Sequence, residues 1–599
     1  MSQAWHGQAN YQILACDFHQ GLAFLKAWHA WLADTKRPRQ LHYVALCATP
    51  CQRQELLQAA APFPELIPLA QALSLQWRGL LSGFHRISLN QAAVLLTLCV
   101  GETRALLREQ RFSADCVLLD LRRPAPADSL WDIWRVKALS LCCRHDTVLA
   151  LWGGSSELKQ LLAGQGFQLD SGPDRNSHPA WSEAPDRVYH YRPHWPLKTS
   201  RRSDRFAKIE LGSCAVIGAG LAGASVAAAL AKRGWRVQIL DQAASPAAGA
   251  SSLPVGLFFP HTSVDDSPRS RLSRSGVRLL IEQARLLLQP GLDWDCTGVL
   301  EHSLGRPAGR LKAGSQSGEE WTRLANGMLS GQPWAAGMAE DVATLWHSQG
   351  GWLKPARLIE AWLSQAGVSF VGGTQVAHLQ RDQGQWSILD PRGQELTRCD
   401  QVVLANGLGA QEILHSLDED AAGPELQLEK LPSLQAVRGQ ISWALQRDAA
   451  ALPPFPVNGL GSLIPNIPWQ GELAWFFGAS YEAEQSVTIN EADHHQMNRQ
   501  KLTTLLPAAA TALNVRFNDE NAANPLQAWS QTRCVSPDRL PLLGPLQASQ
   551  HPSLWISAAM GSRGLSFCVL CAELLAARLG AEPWPIEASL ARSLLATRR

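Results

Sequence analysis

Gly218, Gly220 and Gly223, spaced G-x-G-x-x-G within CAVIGAGLAGASVAAALAKRGWRVQILD, are the residues whose types and spacing specify chemistry most directly. The apolar run 214–217 before them predicts a strand, and the small-residue run 224–233 predicts a helix. Residues 237–240 predict a second strand, ending in Asp241. Gly218 permits the tight turn, Gly220 lets backbone approach a pyrophosphate, and Gly223 lets the helix pack closely on the sheet. The helix N-terminus then faces the phosphates. Asp241, 18 residues after Gly223, places a carboxylate where a ribose hydroxyl would lie. The alternative is a glycine-rich turn in an ordinary α/β protein, but strand, helix and acid are all in register for a dinucleotide site.

The elements that must position this site belong to a chain of 599 residues, 46% hydrophobic and 18% charged. That length predicts two to four domains, each with a full core, and the composition excludes a disordered chain. A net charge of +2 does not by itself announce a nucleic-acid binder. Thirteen scattered cysteines predict reduced thiols, and the start MSQAWHGQANYQ carries no secretory signal, so a cytoplasmic location is expected. The uncharged stretch 213–231 is broken by glycines and reads as strand–turn–helix, so no membrane partner is expected. The 23 tryptophans against 5 tyrosines suggest core packing first and base stacking second.

Before residue 192, apolar runs at 11–15, 42–46, 94–100, 116–120 and 147–152 alternate with helical stretches such as 21–32 and 157–164, which predicts a parallel α/β sheet. Residues 192–211 then hold Arg192, Lys198, Arg201, Arg202, Arg205 and Lys208 against Asp204 and Glu210, with two prolines and no apolar period. They read as a basic linker, either simply solvated or able to contact phosphates. A second α/β pattern starts at once with the glycine motif.

The distal sequence bears on which dinucleotide is held. QVVLANGLGA (401–410) runs a strand into Asn406-Gly407 and resembles the second nucleotide-contacting strand of FAD enzymes. RCVSPDRLPLLG fits R-x-x-S/T-x-D-x-x-P-x-x-G through Arg533, Ser536, Asp538, Pro541 and Gly544. A strand, the glycine turn 561–564 and a helix follow. Together these resemble the D-amino-acid-oxidase and glycine-oxidase family over about 212–590, which implies bound FAD, with the last helix starting near the flavin's pyrimidine edge. Within that family, GASSLPVGLFFP (249–260), GGWLKPARL (350–358), AVRGQIS (436–442), FGASY (477–481) and GSRGL (561–565) look like the FAD domain of the bifunctional tRNA 5-methylaminomethyl-2-thiouridine biosynthesis family.

That resemblance implies three parts: a methyltransferase-like Rossmann domain at 1–191, the linker at 192–211, and an FAD-dependent oxidoreductase domain at 212–590. The last would have nucleotide-binding parts at about 212–260, 345–410 and 531–580. A mixed-sheet substrate subdomain of glycine-oxidase type, at about 261–344 and 411–530, would be inserted in it. The implied partner is tRNA, and the implied reaction is oxidative removal of the carboxymethyl group from carboxymethylaminomethyl uridine at the wobble position. The nucleotide contacts would extend to Gly249, Ser251, Asn406, Gly407, Gly561, Ser562 and Gly564. A bidentate arginine suits the substrate carboxylate. Arg563 comes first, Arg438 second, and Arg533 third because it could instead brace the PDRLP turn.

The N-terminal half departs from the family pattern. Where a methyltransferase has a glycine-rich turn, this chain has ILACDFHQGLAFL with Gly21 alone. Where an acid should follow the second strand stand Leu46 and Cys47, and an Asp-Gly-Phe-type loop is replaced by Asp120-Leu121-Arg122-Arg123-Pro124. The expectation is a kept fold, S-adenosyl-L-methionine binding lost or weak, and a docking or tRNA-binding role for this half. Cys568-x-x-Cys571 lacks a second pair, so no metal is expected, and His494-His495 reads as a solvated helix face. The competing reading of the whole is a small-molecule amine oxidase of the glycine or sarcosine type.

Overall fold

The structure, a computed structural model, describes residues 4–122, 131–170, 181, 183–196, 208–304, 316–340, 342, 344–419, 431–446, 452–478, 482–483, 490–518, 525–547 and 552–598. Most of the basic linker, including Lys198, Arg201, Arg202 and Arg205, lies outside these residues, as do Arg123, Pro124 and residues 479–481 of FGASY. The chain divides into two compact units. The first comprises Met1–Glu210 and Ala576–Arg592, the second Leu211–Leu575 and Ser593–Arg599. A second domain running unbroken to residue 590 therefore differs from the observed division.

In the first unit the described residues form an eight-stranded sheet whose centre is parallel. Asn10–Ala15 lies between Gln40–Cys47 and Ala114–Asp120, and pairs in parallel with both. Val94–Val100 and Cys143–Trp152 continue the parallel pairing outward. Gly83–Leu89 forms one antiparallel edge, and Arg187–Tyr191 followed by Phe167–Leu169 complete the other side with antiparallel pairing. The near-continuous apolar runs of the central strands are what a sheet covered on both faces requires. Gln40–Cys47 and Val94–Val100 are buried at every position. Residues 576–592 supply a part that sequence reading assigned elsewhere. Glu582 accepts from the Asn10 amide at 3.1 Å and lies 3.6 Å from buried His42. Glu587 accepts from the Phe84 backbone N–H, and Arg86 donates to the Pro583 carbonyl.

In the second unit a six-stranded sheet has the order Val368–Val371, Arg236–Leu240, Ser213–Ile217, Gln401–Leu404, Leu554–Ala558, Leu542–Pro545, with only the last strand antiparallel. The order reverses beside Ser213–Ile217, and ligands bind at such a switch point, outside the carboxyl ends of the strands. A larger mixed sheet contains Gln435–Leu445, paired antiparallel with Gln527–Val535 over nine positions. Its two flanking cores are rich in tryptophan and phenylalanine, including Trp475 and Phe477, both at 0% exposure.

Candidate active site

The turn after Ser213–Ile217 builds one end of the site. Gly218 has φ +107°, a conformation closed to side-chain-bearing residues, and a Cβ there would meet the Ala405 carbonyl oxygen at 2.8 Å. The helix Leu221–Lys232 starts from Gly220, and the Ser251 hydroxyl accepts from the Leu221 N–H at 3.0 Å. Gly223 faces away from the cavity and packs on the sheet, its would-be Cβ 3.2 Å from Val216 Cγ1. Asp241 ends the next strand, accepting from the Ala219 N–H at 2.6 Å and the Ala243 N–H at 2.9 Å. Each bond takes one oxygen, and a carboxylate has capacity left for ribose hydroxyls.

A cavity of about 1110 Å³ runs from this turn into the second sheet. Gly218, Gly220, Asp241, Gly249, Ser251, Asn406, Gly407, Gly561, Ser562, Arg563 and Gly564 all line it. The residues fit FAD. Asn406 lines the cavity and its Oδ1 is buried with no protein partner, a polar atom still in need of one. The open helix start at Gly220 presents its N–H groups for a pyrophosphate. Gly561, at φ +58°, begins the turn Gly561–Arg563, which leads straight into the helix Gly564–Leu579.

Of the three candidate arginines, the cavity takes two. Arg563 and Arg533 line it, and Arg438 does not. The pairing Gly439↔Gln531 puts Trp529, Gln531 and Arg533 on one face of their strand and Arg438 on the other. There the exposed Arg438 donates from Nε to the Ser530 hydroxyl at 3.0 Å. The turn that follows Arg533 is braced by Ser536, Asp538 and Arg598, through bonds of 2.6–2.8 Å. Sequence reading also missed Phe259, Trp529 and Gln531 as cavity residues. The i, i+2, i+4 spacing of Trp529, Gln531 and Arg533 was the available signal.

Arg563 sits 5.5 Å from the ring centre of Phe259, which lies 5.1 Å from the His347 ring. His347 bonds Thr322 at 3.0 Å and Glu301 at 2.9 Å. Burial pushes the Glu301 carboxyl up, but the bond to His347 and the charges of His347, Arg563 and His261 bring it below the usual range. Glu301 is thus held ionised as a counter-charge near Arg563.

Cys568 and Cys571 are buried in the core, and burial pushes the Cys568 thiol up to about 12. His494 is 1% exposed, which corrects the expected solvated face. Its helix, Glu491–Leu505, packs on Gln435–Leu445, where His495 Nδ1 meets the Ser442 hydroxyl at 2.7 Å.

In the first unit the corresponding crevice, outside the ends of Asn10–Ala15 and Ala114–Asp120, holds the chain's own side chains. Phe18 is 4% exposed and stacks on Trp77 at 5.1 Å. Its ring lies 2.7 Å from where a Gly21 Cβ would stand. Asp17 is engaged by the His19 N–H and ring, and Asp120 by the Arg122 guanidinium. At the end of Gln40–Cys47, burial and then the Asp17 charge push the Cys47 thiol up to about 12, so the thiol is not itself an anion that a ribose could meet. These residues do not fit S-adenosyl-L-methionine.

The fold and cavity of the second unit are those of an FAD-dependent oxidoreductase, and residues 213–578 match the family described as FAD dependent oxidoreductase. Residues 64–177 match an S-adenosyl-L-methionine-dependent methyltransferase family, a match that starts beyond the first two parallel strands. The chain is 44% identical to the tRNA 5-methylaminomethyl-2-thiouridine biosynthesis bifunctional protein of Albidiferax ferrireducens, over 100% of this chain and 94% of that protein. It is also 44% identical to the protein of the same description from Polaromonas naphthalenivorans, over 99% and 91%. The chain belongs to that bifunctional family. Among solved structures it is similar to glycine oxidase from Geobacillus kaustophilus, with 18% identity, 65% of this chain and 99% of that one covered, and a TM-score of 0.49.

Proposed function

We propose that the second unit removes the carboxymethyl group from 5-carboxymethylaminomethyl-(2-thio)uridine in tRNA. The observation that carries this reading is one cavity joining a dinucleotide cradle to two arginines, in a chain of this family. Bound FAD supplies the acceptor for the hydride leaving the carbon between the secondary amine and the carboxylate. Arg533 and Arg563 hold that carboxylate, and so fix which carbon faces the flavin. Phe259, Ile464 and Phe476 add apolar walls to the same cavity. With the amine proton also lost, a C=N bond forms. Water then adds across it, the C–N bond breaks, and glyoxylate leaves the 5-aminomethyl uridine on the tRNA.

The same proposal denies the first unit its family's cofactor. Phe18 on Trp77 occupies the turn, and Cys47 stands where a carboxylate is needed. Without methyl transfer here, the primary amine on the tRNA is the final product of this chain, and its N-methylation falls to a separate enzyme.

The oxidase reading is tested by nucleoside analysis after incubating the holoenzyme with carboxymethylaminomethyl tRNA. The aminomethyl nucleoside should appear, with turnover falling steeply as salt rises. Equal, salt-insensitive turnover of free glycine would favour the small-molecule oxidase. The cofactor reading is tested by calorimetry on the full chain with S-adenosyl-L-methionine. Binding should be weaker than about 1 mM, a level worth only about 4 kcal/mol. A micromolar dissociation constant, or methylated nucleoside in the first assay, restores the bifunctional reading.

A further inference from the structure

We propose that Trp529 is the stacking surface for the base of the substrate nucleotide, an inference that rests on the tRNA reading above. A modified wobble uridine can reach a buried redox site only if its base leaves the anticodon stack and enters the protein. Such extruded bases are held by stacking on aromatic faces. Three phenylalanine or tryptophan side chains line the cavity: Phe259, Phe476 and Trp529. Phe259 and Phe476 are 9% and 1% exposed, so their faces are spent on core packing. Trp529 is half-buried and keeps surface open to the cavity.

Its ring is also fixed. The indole N–H donates to the Ser252 hydroxyl at 2.8 Å, next to the residue that caps the nucleotide-binding helix. Ile441 is its cross-strand partner, and Trp529 packs against the cluster containing Val255, Ile464 and Phe476. A ring held from below and by its edge is pre-organised for stacking, and so loses little freedom when a base arrives.

The position along the strand suits the substrate. Trp529 and Arg533 share a face four residues apart, roughly 13 Å of extended chain. A uracil with a short arm ending in a carboxylate spans that distance once the arginine side chain reaches back toward it. Gln531 lies between them on the same face, beside the arm and the base edge, and Gly439 opposite leaves the path open. Trp529 thus selects a nucleoside over a bare amino acid, while the arginines select the carboxylate.

The test uses Trp529→Phe and Trp529→Leu in the full-length holoenzyme, with FAD content measured first. Two substrates are compared: carboxymethylaminomethyl tRNA and N-ethylglycine, which has the amine and carboxylate without the base. Both variants should retain FAD. The leucine variant, with bulk but no π face, should raise KM for the tRNA roughly tenfold or more, while the phenylalanine variant stays within a few-fold of wild type. Turnover of N-ethylglycine should change several-fold less than turnover of the tRNA in the leucine variant. Equal losses on the two substrates, loss of FAD from the phenylalanine variant, or a leucine variant with wild-type KM for tRNA would each overturn the assignment. Wild-type enzyme that is inactive on the tRNA but active on N-ethylglycine would instead refute the parent reading.

Discussion

Replacing Gly223 by alanine should separate what the glycine motif does for the fold from what it does for the cofactor. An added Cβ would lie 3.0 Å from the Gly218 carbonyl carbon and 3.2 Å from Val216 Cγ1, and would overlap the Gly218 carbonyl oxygen. The obstruction is mainly backbone, so a rotamer change cannot relieve it. The helix Leu221–Lys232 must back away from its sheet, an overpacking that costs about 1–3 kcal/mol of stability. The withdrawn helix start also loses its hold on the pyrophosphate. Two charge-assisted hydrogen bonds at about 1.5–3 kcal/mol each correspond to a 10²- to 10⁴-fold weaker FAD affinity. Gly220→Ala is the contrasting variant. Its Cβ meets only the Ser251 hydroxyl, at 3.0 Å, which is a side-chain atom able to move. The apoprotein should therefore stay within about 0.5 kcal/mol of wild type, yet lose flavin because the methyl stands where the pyrophosphate must approach. Flavin-to-protein absorbance ratios and urea melts of the apoproteins read the two effects separately. A Gly223→Ala protein with full flavin content and an unchanged melt would refute the packing argument, and a Gly220→Ala apoprotein destabilised as much would refute the division of labour.

Arg533→Lys and Arg563→Lys keep the charge but lose the planar fork. Each should raise KM for carboxymethylaminomethyl tRNA roughly tenfold, whereas Arg438→Ala should leave steady-state kinetics near wild type; the reverse ranking would sink the cavity assignment. Burial pushes the Asp538 carboxyl up, but hydrogen bonds from Arg598, the Leu540 N–H and Ser536 outweigh it and hold it at about 2. A depressed carboxylate contributes stability that is full above about pH 4 and lost as pH falls toward 2. Arg598→Ala should remove roughly 1 kcal/mol or less above pH 4, the carboxylate being half-exposed, and flatten that part of the acid limb in pH-dependent urea melts.

Local pattern carried much of the architecture. The apolar runs at 94–100 and 116–120 became parallel strands, and the glycine motif, its helix and Asp241 lie as their spacing implied. Facts set by long-range register were not legible. Arg438 and Arg533 look alike in sequence, and only the pairing Arg438↔Thr532 reveals that they face opposite ways. His494 is polar by type and buried by context, because a strand some fifty residues earlier covers its helix. The abundance of tryptophan has a partial answer: 15 of the 23 are buried, Trp5, Trp31, Trp362, Trp386, Trp475 and Trp555 fully so, and Trp529 is among the eight that are not. The role of Gly276 had a faint signal as a lone mid-helix glycine. A Cβ there would overlap the Ser566 carbonyl oxygen, so it lets the helix Pro268–Leu287 pack against the first turn of the helix Gly564–Leu579, which follows Arg563.

The return of residues 576–592 to the first unit bears on how the chain matures. Asn10 finds Glu582 across 572 residues, and the Phe84 N–H finds Glu587 across 503. At about 5–20 residues per second, a ribosome delivers those carboxylates roughly half a minute to two minutes after Asn10 has emerged. Until then His42, Arg86 and the edge strand Gly83–Leu89 wait without them, so the first part of the chain to be made is among the last to be finished. A fragment cut within the linker would stay in that waiting state permanently.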